Sequence, residues 1–127
     1  MLGGPSPEAR TPLSVGTVDI GGVGIVSIAG ELDLATADRL AAALVAPSLT
    51  GKPVVLNLSS LEFLDSTGLS EIVLGWRRLN DQGLGFVLLS PSPAVRKVLE
   101  MTGVESIIEI VEHEVDALRA VSGPRAR

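Results

Sequence analysis

The stretch VVLNLSSLEFLDSTGLS, residues 54–70, decides the fold of this chain. Its first five residues form a nearly continuous apolar run between Lys52-Pro53 and Ser59-Ser60, which is typical of a central strand buried on both faces. The residues after it predict a helix over residues 67–80 that stops near Gly83. The apolar positions that keep the helical spacing are Leu69, Ile72, Val73, Trp76 and Leu79.

Upstream of this stretch, the sequence predicts a hairpin and one helix. The expected elements are a strand over residues 17–20, a turn at Gly21-Gly22, a strand over residues 24–29, and a helix that begins at Ala37 and is ended by Pro47 and Gly51. Thr36 and Asp33 are the two candidate N-caps of this helix. The segment GELD, residues 30–33, links the second strand to the helix.

Downstream, three further elements continue the alternation of strands and helices that builds a sheet covered by helices. They are a strand over residues 85–89, a helix that begins at Ser92-Pro93 and is capped by Gly103, and a short strand over residues 107–111. A last helix is expected to turn Val115, Leu118 and Val121 towards the core. These elements total four or five strands and four helices.

Composition excludes several classes of function. The net charge of -5 and the pI near 4.8 produce a field that repels nucleic acids and anionic membrane surfaces. The chain has no cysteine and a single histidine, His113, so neither a disulfide nor a metal cluster is expected. No apolar stretch approaches the roughly 20 residues that span a bilayer. We therefore expect a cytoplasmic protein without metal, cofactor, nucleic acid partner or membrane insertion.

The length of 127 residues fits one domain. Residues 1–14 are rich in Gly, Pro and Ser and lack the apolar region of a secretion signal, which predicts a disordered leader. Residues 122–127 predict a flexible tail. The single folded domain is therefore expected over residues 15–121.

The segment Asp65-Ser66-Thr67-Gly68 joins the central strand to the helix after it, and it allows two interpretations. In the first, Asp65, Ser66 or Thr67 is simply the N-cap of the helix. In the second, one hydroxyl accepts a phosphoryl group, because free amides and the positive end of the helix dipole favour a phosphate there. The added charge of roughly -1.5 to -2 beside Asp65 would repel a partner that fits the unmodified surface.

Three segments occur together in one order and spacing: GELDLATADRL at residues 30–40, VVLNLSSLEFLDSTGLS at residues 54–70, and SPAVRKVLEMTGV at residues 92–104. In this combination the chain resembles the bacterial anti-sigma factor antagonists of the STAS domain family. The resemblance covers residues 15–120, and it implies a STAS-like α/β fold, with a four- to five-stranded mixed β-sheet flanked by about four α-helices.

The resemblance also implies a function. The unphosphorylated form of such a protein binds an anti-sigma factor that is also a serine kinase and so frees a sigma factor, and phosphorylation of the DSTGLS motif ends the binding. ATP belongs to the kinase, a phosphatase reverses the modification, and the antagonist itself is not an enzyme. The implied acceptor is Ser66, with Thr67 as the second candidate. The implied partner-binding residues are Glu31, Asp33, Asp65, Ser66, Thr67, Gly68 and Leu69.

Two alternatives compete with this switch. The same fold serves equally as a constitutive scaffold subunit of a stress-signalling assembly or of a lipid transporter, and the DSTGLS motif alone does not distinguish these roles. A small hydrolase is disfavoured, because His113 lies in an acidic run without a nucleophile motif. Ser70 departs from the family, in which glycine is frequent at this position.

Overall fold

The computed structural model of the protein describes residues 12–123, which form a five-stranded sheet and four α-helices. The strands are β1 (Ser14–Ile20), β2 (Val23–Leu32), β3 (Val54–Leu64), β4 (Phe86–Leu89) and β5 (Ile110–Val111). The helices are α1 (Ala37–Thr50), α2 (Ser66–Asp81), α3 (Pro93–Thr102) and α4 (Glu114–Ser122), and a short 3₁₀ turn spans Val104–Ser106. The predicted α/β class and mixed sheet are confirmed.

The strands lie in the order β1-β2-β3-β4-β5, so each strand pairs with its neighbour in the chain. β1 and β2 are antiparallel and joined through Gly21 and Gly22, whose φ angles of 58° and 85° suit a tight hairpin turn. The other pairs are parallel, and α1, α2 and α3 make the connections between them. As a result, the carboxyl ends of β2 and β3 meet at one edge, where Leu32 is paired with Leu64.

β3 runs six residues beyond its predicted end at residue 58, and its second half is bulged. Its register against β2 shifts twice, once after the Ser27–Asn57 pair and once after the Gly30–Leu61 pair. Each shift adds one residue to β3 and breaks the two-residue alternation of a regular strand. The buried residues in the second half of the strand are therefore spaced by three: Leu58, Leu61 and Leu64. A spacing of three is not the pattern of a regular strand, so the sequence predicted that the strand ends at residue 58.

The core has two parts, one on each face of the sheet. Neighbouring residues of a strand point to opposite faces, so Val54 and Leu56 lie in the larger cluster and Val55 in the smaller one. The larger cluster packs under α1, α2 and α3, and Trp76 is partly buried against it. The smaller cluster packs under α4, through Ala117 and Val121.

The prediction that Gly51 ends α1 is confirmed, but the prediction that Pro47 also ends it is wrong. The helix continues to Thr50 and ends at Gly51, which has a φ of 70°. Pro47 lies in the last turn, where its carbonyl oxygen accepts hydrogen bonds from the amides of Gly51 and Lys52. Its ring is buried against Gly24 of β2, so packing compensates for the hydrogen bond that the proline nitrogen cannot donate.

The predictions for the last two elements need correction. β5 contains only two residues, because the chain first makes the 3₁₀ turn and Ile107 remains half exposed. In α4 Val121 is buried and Leu118 is partly buried against the smaller cluster, as predicted, but Val115 is 63% exposed and Ala117 is buried instead. Val115 precedes Ala117 by two residues, which places it about 200° away around the helix axis.

The folded domain also begins earlier than predicted. Leu13 is buried, its carbonyl oxygen accepts a hydrogen bond from the Arg39 guanidinium, and Ser14 is the first residue of β1. The predicted leader is therefore wrong for residues 13 and 14, and Ser122 belongs to α4 rather than to a tail. Residues 1–11 and 124–127 of these two predictions lie outside the described residues.

Replacement of Gly85 by alanine is expected to lower the free energy of unfolding by about 1–3 kcal/mol. A Cβ at this position would lie 2.8 Å from Cα of Val121, so α4 would have to move off the sheet. Gly16→Ala is the matched control, because no atom lies within 4 Å of its added Cβ. Urea unfolding of both variants measures the difference, and equal stabilities would contradict the close packing of α4.

Candidate functional site

Asp65 is the N-cap of α2. Its backbone is extended, its Oδ1 accepts a hydrogen bond of 2.8 Å from the amide of Gly68, and its carbonyl oxygen accepts one of 2.9 Å from the amide of Leu69. A short polar side chain in this position satisfies amides that have no partner within the helix. Of the three residues considered as the cap, the structure therefore selects Asp65 and leaves Ser66 and Thr67 free of that role.

The second carboxylate oxygen of Asp65 reaches a different part of the chain. Oδ2 accepts a hydrogen bond of 3.2 Å from the amide of Leu34, in the loop between β2 and α1. The amide of Asp65 in turn donates to the carbonyl oxygen of Leu32, also at 3.2 Å. The Asp65 side chain thus joins the start of α2 to the β2–α1 loop, and its backbone amide joins it to Leu32 of the GELD segment.

Asp33 organises the loop itself. Its side chain is 7% exposed, and Oδ1 accepts hydrogen bonds from the amide of Ala35 at 3.0 Å and from the Thr36 hydroxyl at 3.1 Å. The Thr36 hydroxyl accepts from the amide of Asp33 at 3.0 Å and lies 2.9 Å from the carbonyl oxygen of Glu31. Thr36 precedes α1 but makes no side-chain cap bond. Asp33 is therefore mainly a buried structural residue under the surface of the loop.

Gly68 allows α2 to begin directly against the ends of β2 and β3. A Cβ here would lie 2.7 Å from both Cγ and the carbonyl oxygen of Leu32, and 3.0 Å from Leu64. Any larger residue would push the helix away from the sheet. Gly68 is buried and Leu69 is partly buried against the larger core cluster, so both lie beneath the surface hydroxyls.

Ser66 is the first residue of α2, and its side chain is exposed. Within residues 12–123 its hydroxyl makes no hydrogen bond, whereas its carbonyl oxygen accepts one of 2.9 Å from the Ser70 hydroxyl. Thr67 is partly buried. The departure at Ser70 therefore adds a bond within the first turns of α2 and leaves the Ser66 hydroxyl accessible.

Two apolar residues at this edge were missed from the sequence. Leu34 is 78% exposed and Phe63 is 48% exposed. Together with Asp33, Ala35 and Asp65 they line an open depression of about 430 Å³. Phe63 lies between the buried residues Leu61 and Leu64 in the sequence. Its exposure can be predicted from this position only when the bulges of β3 are known.

Among residues 12–123, no group of three His, Asp or Glu side chains is placed to hold a metal ion. None of the helices in this range is both long and apolar enough to cross a bilayer. His113 precedes α4 and is exposed.

Comparison with known proteins identifies the family. A model of the STAS domain matches residues 14–117. The anti-sigma F factor antagonist of Paenibacillus polymyxa is 34% identical over 99 residues, which cover 76% of this chain and 85% of the relative. The anti-sigma-F factor antagonist RsfB of Mycobacterium tuberculosis is 31% identical over 121 residues, which cover 93% of this chain and 97% of the relative.

A solved structure supports the same assignment. The crystal structure of an anti-sigma factor antagonist from Mycobacterium paratuberculosis superimposes with a TM-score of 0.81 at 31% identity, over 93% of this chain and 98% of the other. The chain therefore belongs to the STAS domain family of anti-sigma factor antagonists, as the sequence motifs predicted. Anti-sigma factor antagonists are regulatory proteins and not enzymes.

Two substitutions of Asp65 are expected to distinguish the contributions of its two side-chain hydrogen bonds to stability. Asp65→Ala removes both and should lower the free energy of unfolding by about 1–2 kcal/mol, the usual cost of a lost N-cap. Asp65→Asn keeps an oxygen for the Gly68 amide but has an amide group where Leu34 needs an acceptor, so its loss should be smaller. Urea unfolding measures the stabilities.

Amide hydrogen exchange locates the effect. In Asp65→Asn the Leu34 amide should exchange faster than in the wild type, while the Gly68 amide keeps its protection. Equal acceleration at both amides would show that the carboxylate does not act as two separate acceptors.

Proposed function

We propose that the unphosphorylated chain binds an anti-sigma factor with serine kinase activity and so frees a sigma factor, and that phosphorylation of Ser66 switches this binding off. The observation that carries the proposal is the exposed Ser66 hydroxyl, which has no hydrogen-bond partner among residues 12–123 and directly follows the Asp65 cap. The names of the relatives, which describe antagonists of anti-sigma factors, support the class of partner.

Ser66 is favoured over Thr67 as the acceptor because a kinase needs an accessible hydroxyl. The Ser66 side chain is exposed at the very start of α2, whereas Thr67 is partly buried. The capping function belongs to Asp65, so modification of Ser66 would not remove the cap. A phosphate at this position also lies at the positive end of the helix dipole.

The phosphate would act through local charge. It adds roughly -1.5 to -2 charges next to the Asp65 carboxylate. Two unit charges about 4 Å apart interact by about 4 kcal/mol at an effective dielectric constant near 20, and about 1.4 kcal/mol changes an equilibrium tenfold. Even a screened fraction of this repulsion releases a bound partner while the core remains packed.

The proposed function also implies a source of ATP, a phosphatase and a cellular location. ATP is supplied by the kinase, and a phosphatase restores the unmodified Ser66. The cytoplasm is the proposed location, because ATP and the sigma factor are both there. Gly68 and the Asp65 bridge hold the surface in shape, while Ser66 and the exposed loop residues meet the partner.

Incubation with ATP and each purified anti-sigma kinase encoded in the genome that carries this chain is expected to add one phosphoryl group. Intact-mass spectrometry with fragmentation should place it on Ser66. Ser66→Ala should abolish the modification, and Thr67→Ala is the control that should retain it. A phosphate on Thr67, or none with any kinase, would contradict the assignment of Ser66.

Binding to the same kinase, measured by isothermal titration calorimetry, is expected to depend on the charge at Ser66. Ser66→Ala should bind about as tightly as the wild type, because it keeps the unmodified charge. Ser66→Asp should bind at least about tenfold more weakly, since it adds a negative charge beside Asp65. Phosphorylated wild type should bind more weakly still, and equal affinity of both forms would defeat the switch.

A further inference from the structure

One edge of the sheet is open along the whole length of a strand. β1 is the last strand on its side, and it pairs only with β2, from Ser14 to Ile20. Six of its seven residues are exposed, so no helix or loop among residues 12–123 covers it. The free edge of a strand presents backbone amides and carbonyl oxygens that can pair with a further strand.

The register of the hairpin shows which backbone groups of β1 point outwards. The amide of Gly24 donates a hydrogen bond to the carbonyl oxygen of Pro53, so the backbone of Gly24 faces away from β1. Its register partner Asp19 therefore faces away from β2, and the two-residue alternation extends this to Thr17 and Val15. In the part of the chain that the structure describes, no hydrogen bond satisfies the backbone groups of these three residues.

β1 lacks the features that usually prevent pairing at an edge. Natural edge strands are protected by proline, by lysine or by a bulge. β1 contains neither proline nor lysine, and its pairing with β2 has no register shift. Its one charged residue, Asp19, forms an ion pair with Lys52, which balances its charge. The edge is therefore open and carries no net charge.

We propose that two copies of this chain pair through β1 in an antiparallel arrangement, which joins their sheets into one continuous sheet. The register centred on Thr17 pairs all seven residues of the strand and places Thr17 opposite its own copy. Val18, which is 57% exposed, then lies opposite Gly16 of the second copy. Ile20, which is 41% exposed, lies opposite Ser14. Each exposed apolar side chain thus faces a small residue across the contact.

Charge complementarity favours a second copy in this register. The two Asp19 residues are kept apart, because each lies opposite Val15 of the other copy. Val15 is two residues from Leu13, whose carbonyl oxygen accepts a hydrogen bond from the Arg39 guanidinium. Arg39 and Asp19 lie on the same face of the sheet, since Gly24, the register partner of Asp19, lies against α1. Diagonal neighbours are within reach of long side chains, so Asp19 of each copy meets Arg39 of the other.

The contact is small, and α1 leaves room for it. The residues of α1 that line the groove beside β1 include Ala43, Ala46 and Thr50, which are too short to cover the edge. A strand of seven residues is about 24 Å long. One such edge buries less than the roughly 1,200 Å² of stable interfaces, so we expect a weak dimer with a Kd of about 100 µM.

The dimer leaves the proposed switch accessible. α2 begins at the carboxyl ends of β2 and β3, whereas the symmetry axis passes through the middle of β1. Antiparallel pairing turns the second copy end for end, so the two Ser66 residues lie at opposite ends of the joined sheet. Dimerisation and kinase binding therefore use separate surfaces.

Sedimentation equilibrium at increasing protein concentration tests the proposal. Thr17→Lys should raise the Kd of the dimer at least about tenfold, because the two introduced lysines lie opposite each other across the axis. Thr102→Lys is the matched control and should dimerise at least as well as the wild type. It makes the same change in net charge at an exposed position of α3, the helix that connects β4 to β5 on the other side of the sheet. Urea unfolding checks that both variants are folded.

A charge exchange at the same position tests the register. Thr17→Glu alone should dimerise as poorly as Thr17→Lys. An equimolar mixture of the two variants should form a heterodimer at least as readily as the wild type forms its dimer, because the introduced glutamate then faces the introduced lysine. This result is expected only if Thr17 lies on the symmetry axis, and a mixture without heterodimers would overturn the proposed pairing.

Three further results would also overturn this inference. The wild type could remain a monomer up to about 1 mM, tenfold above the expected Kd. It could form a dimer that Thr17→Lys leaves intact, which would place the contact elsewhere. The amides of β1 could become protected from hydrogen exchange only when the kinase is added, which would assign the edge to the kinase. Phosphorylation of Ser66 should proceed in Thr17→Lys as in the wild type, so the dimer and the switch are tested separately.

Discussion

The arrangement of the site depends on one carboxylate shared between two segments. Asp65 satisfies the start of α2 through the Gly68 amide and holds the β2–α1 loop through the Leu34 amide. The bond to Gly68 is local, whereas the bond to Leu34 forms because the carboxyl ends of β2 and β3 lie side by side in a parallel sheet. Gly68 adds a second constraint. A Cβ at this position would lie 2.7 Å from Leu32, so the helix can start this close to the sheet only with glycine. The Asp65 carboxylate, the neighbouring ends of β2 and β3, and Gly68 therefore fix the backbone of this surface.

In the proposed switch, the stability of the domain is separate from its regulation. The apolar clusters on the two faces of the sheet carry the stability, and Ser66 belongs to neither of them. Because Asp65 is already the cap, the Ser66 hydroxyl is not required by the helix. A modification at Ser66 then changes the charge of the surface while the backbone beneath it is held by hydrogen bonds. A switch of this kind needs no second fold.

The irregularity of β3 links the core to the surface. A regular strand would continue the two-residue alternation of its first half, but the two extra residues change the spacing so that Leu58, Leu61 and Leu64 all stay buried. The same change leaves Phe63 on the surface next to Glu31 of the neighbouring strand. The bulges thus position an aromatic residue at the edge where the loop residues and Ser66 are presented. They also explain why the strand was predicted to end six residues early.

The sequence by itself determined the α/β class, the hairpin, the three main helices, the family and the segment around Ser66, because these depend on local periodicity, turn residues and a contiguous motif. It did not determine which residue caps α2, where β3 ends, that α1 passes through Pro47, or that Ala117 rather than Val115 is buried in α4. Those outcomes depend on contacts between residues distant in the chain, such as Asp65 with Leu34, Pro47 with Gly24, and Val121 with Gly85. Only the tertiary structure decided that Leu34 and Phe63 share one surface depression, since strand register and bulges follow from pairing between strands and not from the pattern within one strand.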